Sequence, residues 1–241
     1  MILDIYNDSR TVFSFNSIAL LIGETNSLVL RKKLNYYVKT GELMNPRKGI
    51  YTKKEYKSEE LACLLYTPSY ISLEFVLQKA GIVFQYDSRI TAISYLSRAL
   101  EIDGKEYQYR KLKNEVLANT IGINRENNIN IATAERAFLD VMYLNKNYYF
   151  DNINPLSKKL LLEILPIYKS KQLTQRVTKL LKNASVVRDL YSRTILLLGF
   201  VIRLLFIHII LSLQLLIFLF RLNNQSQNYI YILLVNLQIL L

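Results

Sequence analysis

Between Phe15 and Tyr51 the chain carries two short helical runs, each closed by a glycine, followed by a basic hairpin, and this order leaves few folds open. From Phe15 to Ile22 the apolar residues Ile18, Leu21 and Ile22 fall at helical spacing. Gly23 then permits a tight turn that a side chain would obstruct. Thr25 or Asn26 is suited to cap the next helix, expected from about Asn26 to Lys39. There Leu30, Leu34, Tyr37 and Val38 recur at i, i+4, i+7 and i+8, which gathers them on one face to be buried. Gly41 follows as a left-handed terminator, and Leu43 to Tyr51 reads as strand, turn and strand around Pro46-Arg47-Lys48-Gly49.

Support helix, glycine turn, second helix and basic hairpin are the parts of a winged helix-turn-helix, expected over residues 1–57. Flanking the apolar face, Ser27, Arg31, Asn35 and Lys39 follow at four-residue steps with Lys32 beside them. These are donors suited to base edges and phosphates in a major groove, so double-stranded DNA is the expected partner. Arg47 and Lys48 at the hairpin tip are expected to reach the flanking backbone or minor groove, and Lys53, Lys54 and Lys57 to extend the footprint. A cationic helix face is also what any solvated helix shows. The conjunction of the two glycine stops with the basic hairpin favours the DNA reading. The formal net charge of +12 calls for an anionic partner but suits nucleic acid, an anionic membrane or an acidic protein equally.

From Ser58 to Asn183 the pattern changes to a small mixed α+β domain, with turn signals at Pro68, Gly81, Asp103-Gly104 and Asn127-Asn128. Asp103-Gly104 stands between two β-compatible runs, Ala99 to Ile102 and Tyr107 to Leu112, a strong hairpin signal. Later helices are expected to start after Thr133 and after Asn154, where Pro155 would take the first helical position, and from Lys171 to Lys182.

The chemistry of catalysis is sparse. One cysteine and one histidine, Cys63 and His208, argue against a structural zinc site and against the usual nucleophile and base arrangements. Cys63 lies in an apolar run and reads as a small buried hydrophobe. No phosphate-binding glycine loop is present. Glu135 and Asp140 are five apart on a helix and so do not share the face that metal-assisted phosphoryl chemistry would need. Neither an enzyme, a cofactor nor a metal is expected. The tyrosines Tyr36, Tyr37, Tyr107, Tyr109, Tyr148 and Tyr149 are suited to stack on single-stranded bases but equally to fill core and strand positions.

The beginning of the chain, with Asp4 early and no basic then apolar region, lacks the look of a secretory signal, so a cytoplasmic location is expected. After Asp189 there is no further Asp, Glu or Lys, and residues 184–241 form a hydrophobic tail expected to be helical. Its apolar stretches 195–202 and 204–220 suffice in length to cross a bilayer, although Arg203 between them is costly there. Two readings stay open. One is a membrane anchor, which would make the chain a membrane-attached basic interaction protein. The other is an out-of-frame extension of an AT-rich gene, favoured by the abruptness of the change.

Four segments carry a family resemblance: Gly41-Glu-Leu with Arg47-Lys-Gly-Ile-Tyr, Pro68-Ser-Tyr-Ile-Ser-Leu-Glu, Ala80-Gly-Ile, and Ile131-Ala-Thr-Ala-Glu-Arg-Ala-Phe-Leu-Asp140. From Phe13 to Asn183 the chain resembles the AbiEi-like antitoxins and transcriptional regulators of bacterial abortive-infection systems. The resemblance implies a winged helix that represses its own operon through operator repeats. It also implies a second domain opposing a nucleotidyltransferase-like toxin encoded alongside, without a stable complex between the two. Ala134 stands where many relatives carry proline, and the tail departs from the family altogether. Tyr70, Ser72, Glu74, Glu135, Arg136 and Asp140 are the polar residues of the family-like segments and candidates for a functional surface. Each also has a folding explanation: Ser69 or Ser72 as a helix cap, Glu135 in a first helical turn, and Asp140 paired with Arg136 at i+4.

Overall fold

A computed structural model describes residues 1–182, 202–205 and 209–210. Both readings of the tail, out-of-frame extension and membrane anchor, and His208 lie outside the described residues, apart from the short stretches 202–205 and 209–210, which are helical. Among the described residues no helix is long and apolar enough to cross a membrane.

The chain opens with helix α1 (Ile2–Asn7), strand β1 (Val12–Ser14), helix α2 (Phe15–Ile22), helix α3 (Ser27–Lys39) and strands β2 (Met44–Arg47) and β3 (Ile50–Thr52). β3 lies between β1 and β2, antiparallel to both, in a three-stranded sheet. Local chemistry sets the bounds. Ser14 caps α2 through Ser17 N–H, and Asn26 caps α3 by accepting from Leu28 and Val29 N–H, occupying donors that no helical carbonyl reaches. At the far end of α3 the Glu42 N–H returns to the Tyr37 carbonyl at 2.9 Å and the Gly41 N–H to Val38 at 3.2 Å. This closing loop needs a left-handed residue, and Gly41 supplies it at φ +73°. Ile5, Phe13, Ile18, Leu30, Leu34, Leu43 and Tyr51 form the core beneath these helices. Full burial of Leu30 and Leu34 contributes about 1.5–3 kcal/mol each.

The remainder builds a six-stranded mixed sheet in the order β6-β7-β5-β4-β9-β8. Its strands are β4 (Ser69–Ile71), β5 (Ile90–Ser94), β6 (Arg98–Ile102), β7 (Lys105–Lys111), β8 (Ile123–Glu126) and β9 (Ile129–Ala132). The β6–β7 hairpin turns on Asp103 and Gly104, both at positive φ, as its two-residue loop requires. The helices are α4 (Ser58–Leu65), α5 (Glu74–Lys79), α6 (Asn114–Ala118), α7 (Ala134–Leu144) and α8 (Lys158–Ile164), with a 3-10 turn at Leu165–Tyr168. Alternation along β4 sends Ser69 to the Cys63 carbonyl on α4 and Tyr70 to Asp140 on α7, so these helices cover opposite faces of the sheet.

Thr133 caps α7 as expected. The helix expected after Asn154 starts later: residues 154–155 form a turn, and Ser157 caps α8 through Leu160 N–H. Ser157 is fixed there because its own N–H donates to Glu135 Oε1 at 2.8 Å. Neither Ser69 nor Ser72 caps α5. Thr91 does so from the neighbouring strand, its hydroxyl accepting from Phe75 N–H at 3.1 Å. Residues 171–182 are helical, with Leu173 and Val177 buried. Met1–Val177 is one compact unit. Within it Glu60 of α4, 3% exposed, accepts through Oε2 from Thr11 N–H and hydroxyl, each at 2.7 Å, and from Val12 N–H at 3.0 Å.

Candidate functional site

The structure separates the residues singled out from the sequence into an exposed group and an interior group. On α3, Leu30 and Leu34 are buried, while Ser27, Arg31, Lys32, Asn35 and Lys39 are exposed, so the charged flank faces solvent. The side chains of Ser27, Lys32, Asn35 and Lys39 have no hydrogen-bond or ion-pair partner among the described residues. Arg31 leans over the Phe15 ring at 5.8 Å, and Lys33 is tied to Glu24 at 3.1 Å. On α3 the cations open to a ligand are therefore those on the outward stripe.

One apolar residue on this stripe escaped the sequence reading. Leu28, 71% exposed, stands four residues before Lys32 and seven before Asn35, in line with them. The same helical spacing that located the core face contains that signal on the opposite side.

At the hairpin tip Lys48 is exposed without a side-chain partner among the described residues. Arg47 differs. Its guanidinium lies over the Tyr66 ring at 4.7 Å and donates to the Leu65 carbonyl at 3.4 Å, so it faces the C-terminal end of α4. Of the other basic residues near the hairpin, Lys53 Nζ donates to the Asp8 carbonyl at 2.6 Å, whereas Lys54 and Lys57 are exposed.

The candidates from the second segment do not form a surface. Tyr70 is 2% exposed, and Ser72, Arg136 and Asp140 are wholly buried. The Asp140 carboxylate accepts from the hydroxyls of Ser72 at 2.7 Å, Tyr70 at 3.0 Å and Tyr168 at 2.5 Å. Arg136 donates through Nη1 to the Ile121 carbonyl at 3.0 Å and through Nη2 to the Val116 carbonyl at 2.7 Å and the Tyr70 hydroxyl at 3.3 Å. Its Nε stands 3.6 Å from Asp140, unsatisfied by a hydrogen bond. The rings of Tyr70 and Tyr168 flank the guanidinium at 5.4 and 5.5 Å. Burial pushes both tyrosine hydroxyls well above their ordinary range, which keeps them protonated as donors to Asp140. Gly122 closes the cluster: at φ +76°, a Cβ there would meet Ile164 Cδ1 at 2.7 Å and Arg136 Cβ at 3.1 Å. Tyr168 was missed in the sequence because it comes from a 3-10 turn far along the chain, with no local spacing to mark it.

Glu135 is buried and holds Ser157 N–H, apart from Asp140. Glu74 lines a different feature, a cleft of about 430 Å³ shared with Asp87, Arg89, Gln108, Arg110 and Tyr148. There Arg89 is paired with Asp87, and burial pushes the Tyr148 hydroxyl up to about 12. Tyr107 and Tyr109 are buried, whereas Tyr36 and Tyr149 are exposed. Burial raises the Cys63 thiol to about 11, so it remains an unreactive thiol at neutral pH. Among the described residues no three His, Cys, Asp or Glu side chains are grouped to hold a metal ion. Compared with known proteins, the chain matches no family model and no curated sequence.

Proposed function

We propose that the chain is a DNA-binding antitoxin and transcriptional autorepressor of the AbiEi-like, type IV kind, acting in the bacterial cytoplasm, with residues 1–57 as a winged helix-turn-helix. The observation that carries the DNA half is the outward stripe of α3, where Lys32, Asn35 and Lys39 stand exposed with no side-chain partner among the described residues, on a helix whose other side buries Leu30 and Leu34. A second support is the order α1-β1-α2-α3-β2-β3, which supplies a support helix, a glycine turn, a reading helix and a hairpin beside it. Lys48 adds a phosphate contact from the hairpin.

The antitoxin half rests on the resemblance of the segments Gly41–Leu43, Arg47–Tyr51, Pro68–Glu74, Ala80–Ile82 and Ile131–Asp140. On that basis the DNA partner is a set of operator repeats before its own operon. The functional counterpart is a nucleotidyltransferase-like toxin, opposed without a stable complex.

Binding of the full chain to the duplex upstream of its own gene, followed by fluorescence anisotropy over a range of salt, tests the reading. Log affinity is expected to fall linearly with log salt, and the Lys32→Ala, Lys39→Ala double variant to reduce that slope by about 2. A slope and affinity unchanged by the double variant would remove α3 as the reading element.

A further inference from the structure

The outward stripe of α3 holds more than cations. With about 100° between successive helical residues, the side of the buried Leu30 and Leu34 and the half-buried Tyr37 marks one direction, and Leu28, Lys32, Asn35 and Lys39 run along the opposite one at i, i+4, i+7 and i+11. Leu28 is the second residue of the helix, in the first turn, where reading helices meet base edges. Its side chain is 71% exposed and takes no part in the core beneath. An apolar group beside Arg31 and Lys32, with Lys39 further along the same stripe, complements a surface that is apolar along its floor and anionic along its rims. A major groove offers that combination where thymine methyl groups lie between two phosphate ridges.

We infer that Leu28 is a specificity-determining residue that packs on the C5-methyl of a thymine, so that the preferred duplex carries an A·T pair at that register. The inference rests on the DNA reading proposed above. Asn35 on the same stripe adds to the preference, since its amide matches the N6 and N7 edge of adenine.

Deoxyuridine in place of thymine removes the methyl and leaves pairing, charge and backbone intact, which isolates the contact. The full chain is used to select a duplex from a random-sequence pool, and each thymine of that duplex is then replaced in turn. Affinity is expected to fall about fourfold at one defined thymine, the equivalent of one methyl no longer buried. In Leu28→Ala the ratio of thymine to deoxyuridine affinity at that position is expected to return to one. Leu28 lies outside the core, so thermal unfolding of the variant serves as a control that it folds. If every thymine is replaceable without loss, or if Leu28→Ala keeps the same sensitivity, the inference is overturned while the DNA reading stands. If the full chain retains no duplex from the pool even at low salt, both fall.

Discussion

Two groups of polar side chains, marked out by the same kind of residue in the sequence, end in opposite surroundings. On α3, Lys32, Asn35 and Lys39 stand in solvent with no side-chain partner among the described residues. Between β4 and α7, Tyr70, Ser72, Arg136 and Asp140 are sealed from solvent and bonded to one another. The difference separates charge that is available to a ligand from charge that the fold itself consumes. Residue type alone does not distinguish the two; the number of internal partners does.

The contrast breaks or holds first on Asp140. Asp140→Ala leaves the buried Arg136 without a counter-charge and three hydroxyls without their acceptor, a loss of about 3–5 kcal/mol. Lys32→Ala, on the exposed stripe, should change stability by less than about 0.5 kcal/mol. Urea unfolding of the two full-length variants checks both, and similar midpoints would erase the distinction.

Arg47 and Lys48 sharpen it within a single hairpin. Arg47→Ala removes the stack on Tyr66 and should cost about 1 kcal/mol, the upper worth of a cation–ring contact at an exposed site. Lys48→Ala removes a charge with no side-chain partner among the described residues and should leave stability within about 0.5 kcal/mol of the parent, measured the same way. Equal losses would mean that Arg47 is as free as its neighbour.

Asp8 gives the smallest effect and an intermediate case. The hydrogen-bonded Arg10 side chain holds its carboxyl down to about 2 from the ordinary 3.8. A folded-state value below the unfolded one adds stability that is present above about pH 4 and is lost as pH falls from about 4 to 2. Solvent screening of this partly exposed pair keeps the contribution under about 1 kcal/mol. Unfolding of Asp8→Asn across that pH window should show a shallower acid limb, and a limb as steep as the parent's would assign the effect elsewhere.

Much of the first segment was legible because its signals are local. The apolar spacing of α2 and α3, Asn26 before the second helix and the terminating Gly41 act within a turn or two of chain. The hairpin at Asp103-Gly104 was legible for the same reason, since two adjacent residues at positive φ decide it. Partnerships across the fold were not. Asn154 and Ser157 are both competent caps, and the choice of Ser157 depends on Glu135 in another helix. For the family-like polar residues a surface and a folding role both stayed open, because the sequence does not show which face of β4 turns towards α7, nor that Tyr168 arrives to complete the cluster. The contact of the exposed Arg47 with Tyr66 was not legible because that ring lies beyond the segment to which Arg47 belongs.

The carboxylate of Glu60 clamps the first strand at Thr11 and Val12, while the Arg47 stack clamps the hairpin on the same helix, α4. Both edges of the small sheet are thereby tied to the helix that follows residues 53–57, in addition to the chain connection itself. If the chain binds operator repeats as proposed, copies seated on successive repeats would carry their larger sheets at a phase and spacing dictated by the helical pitch between those repeats.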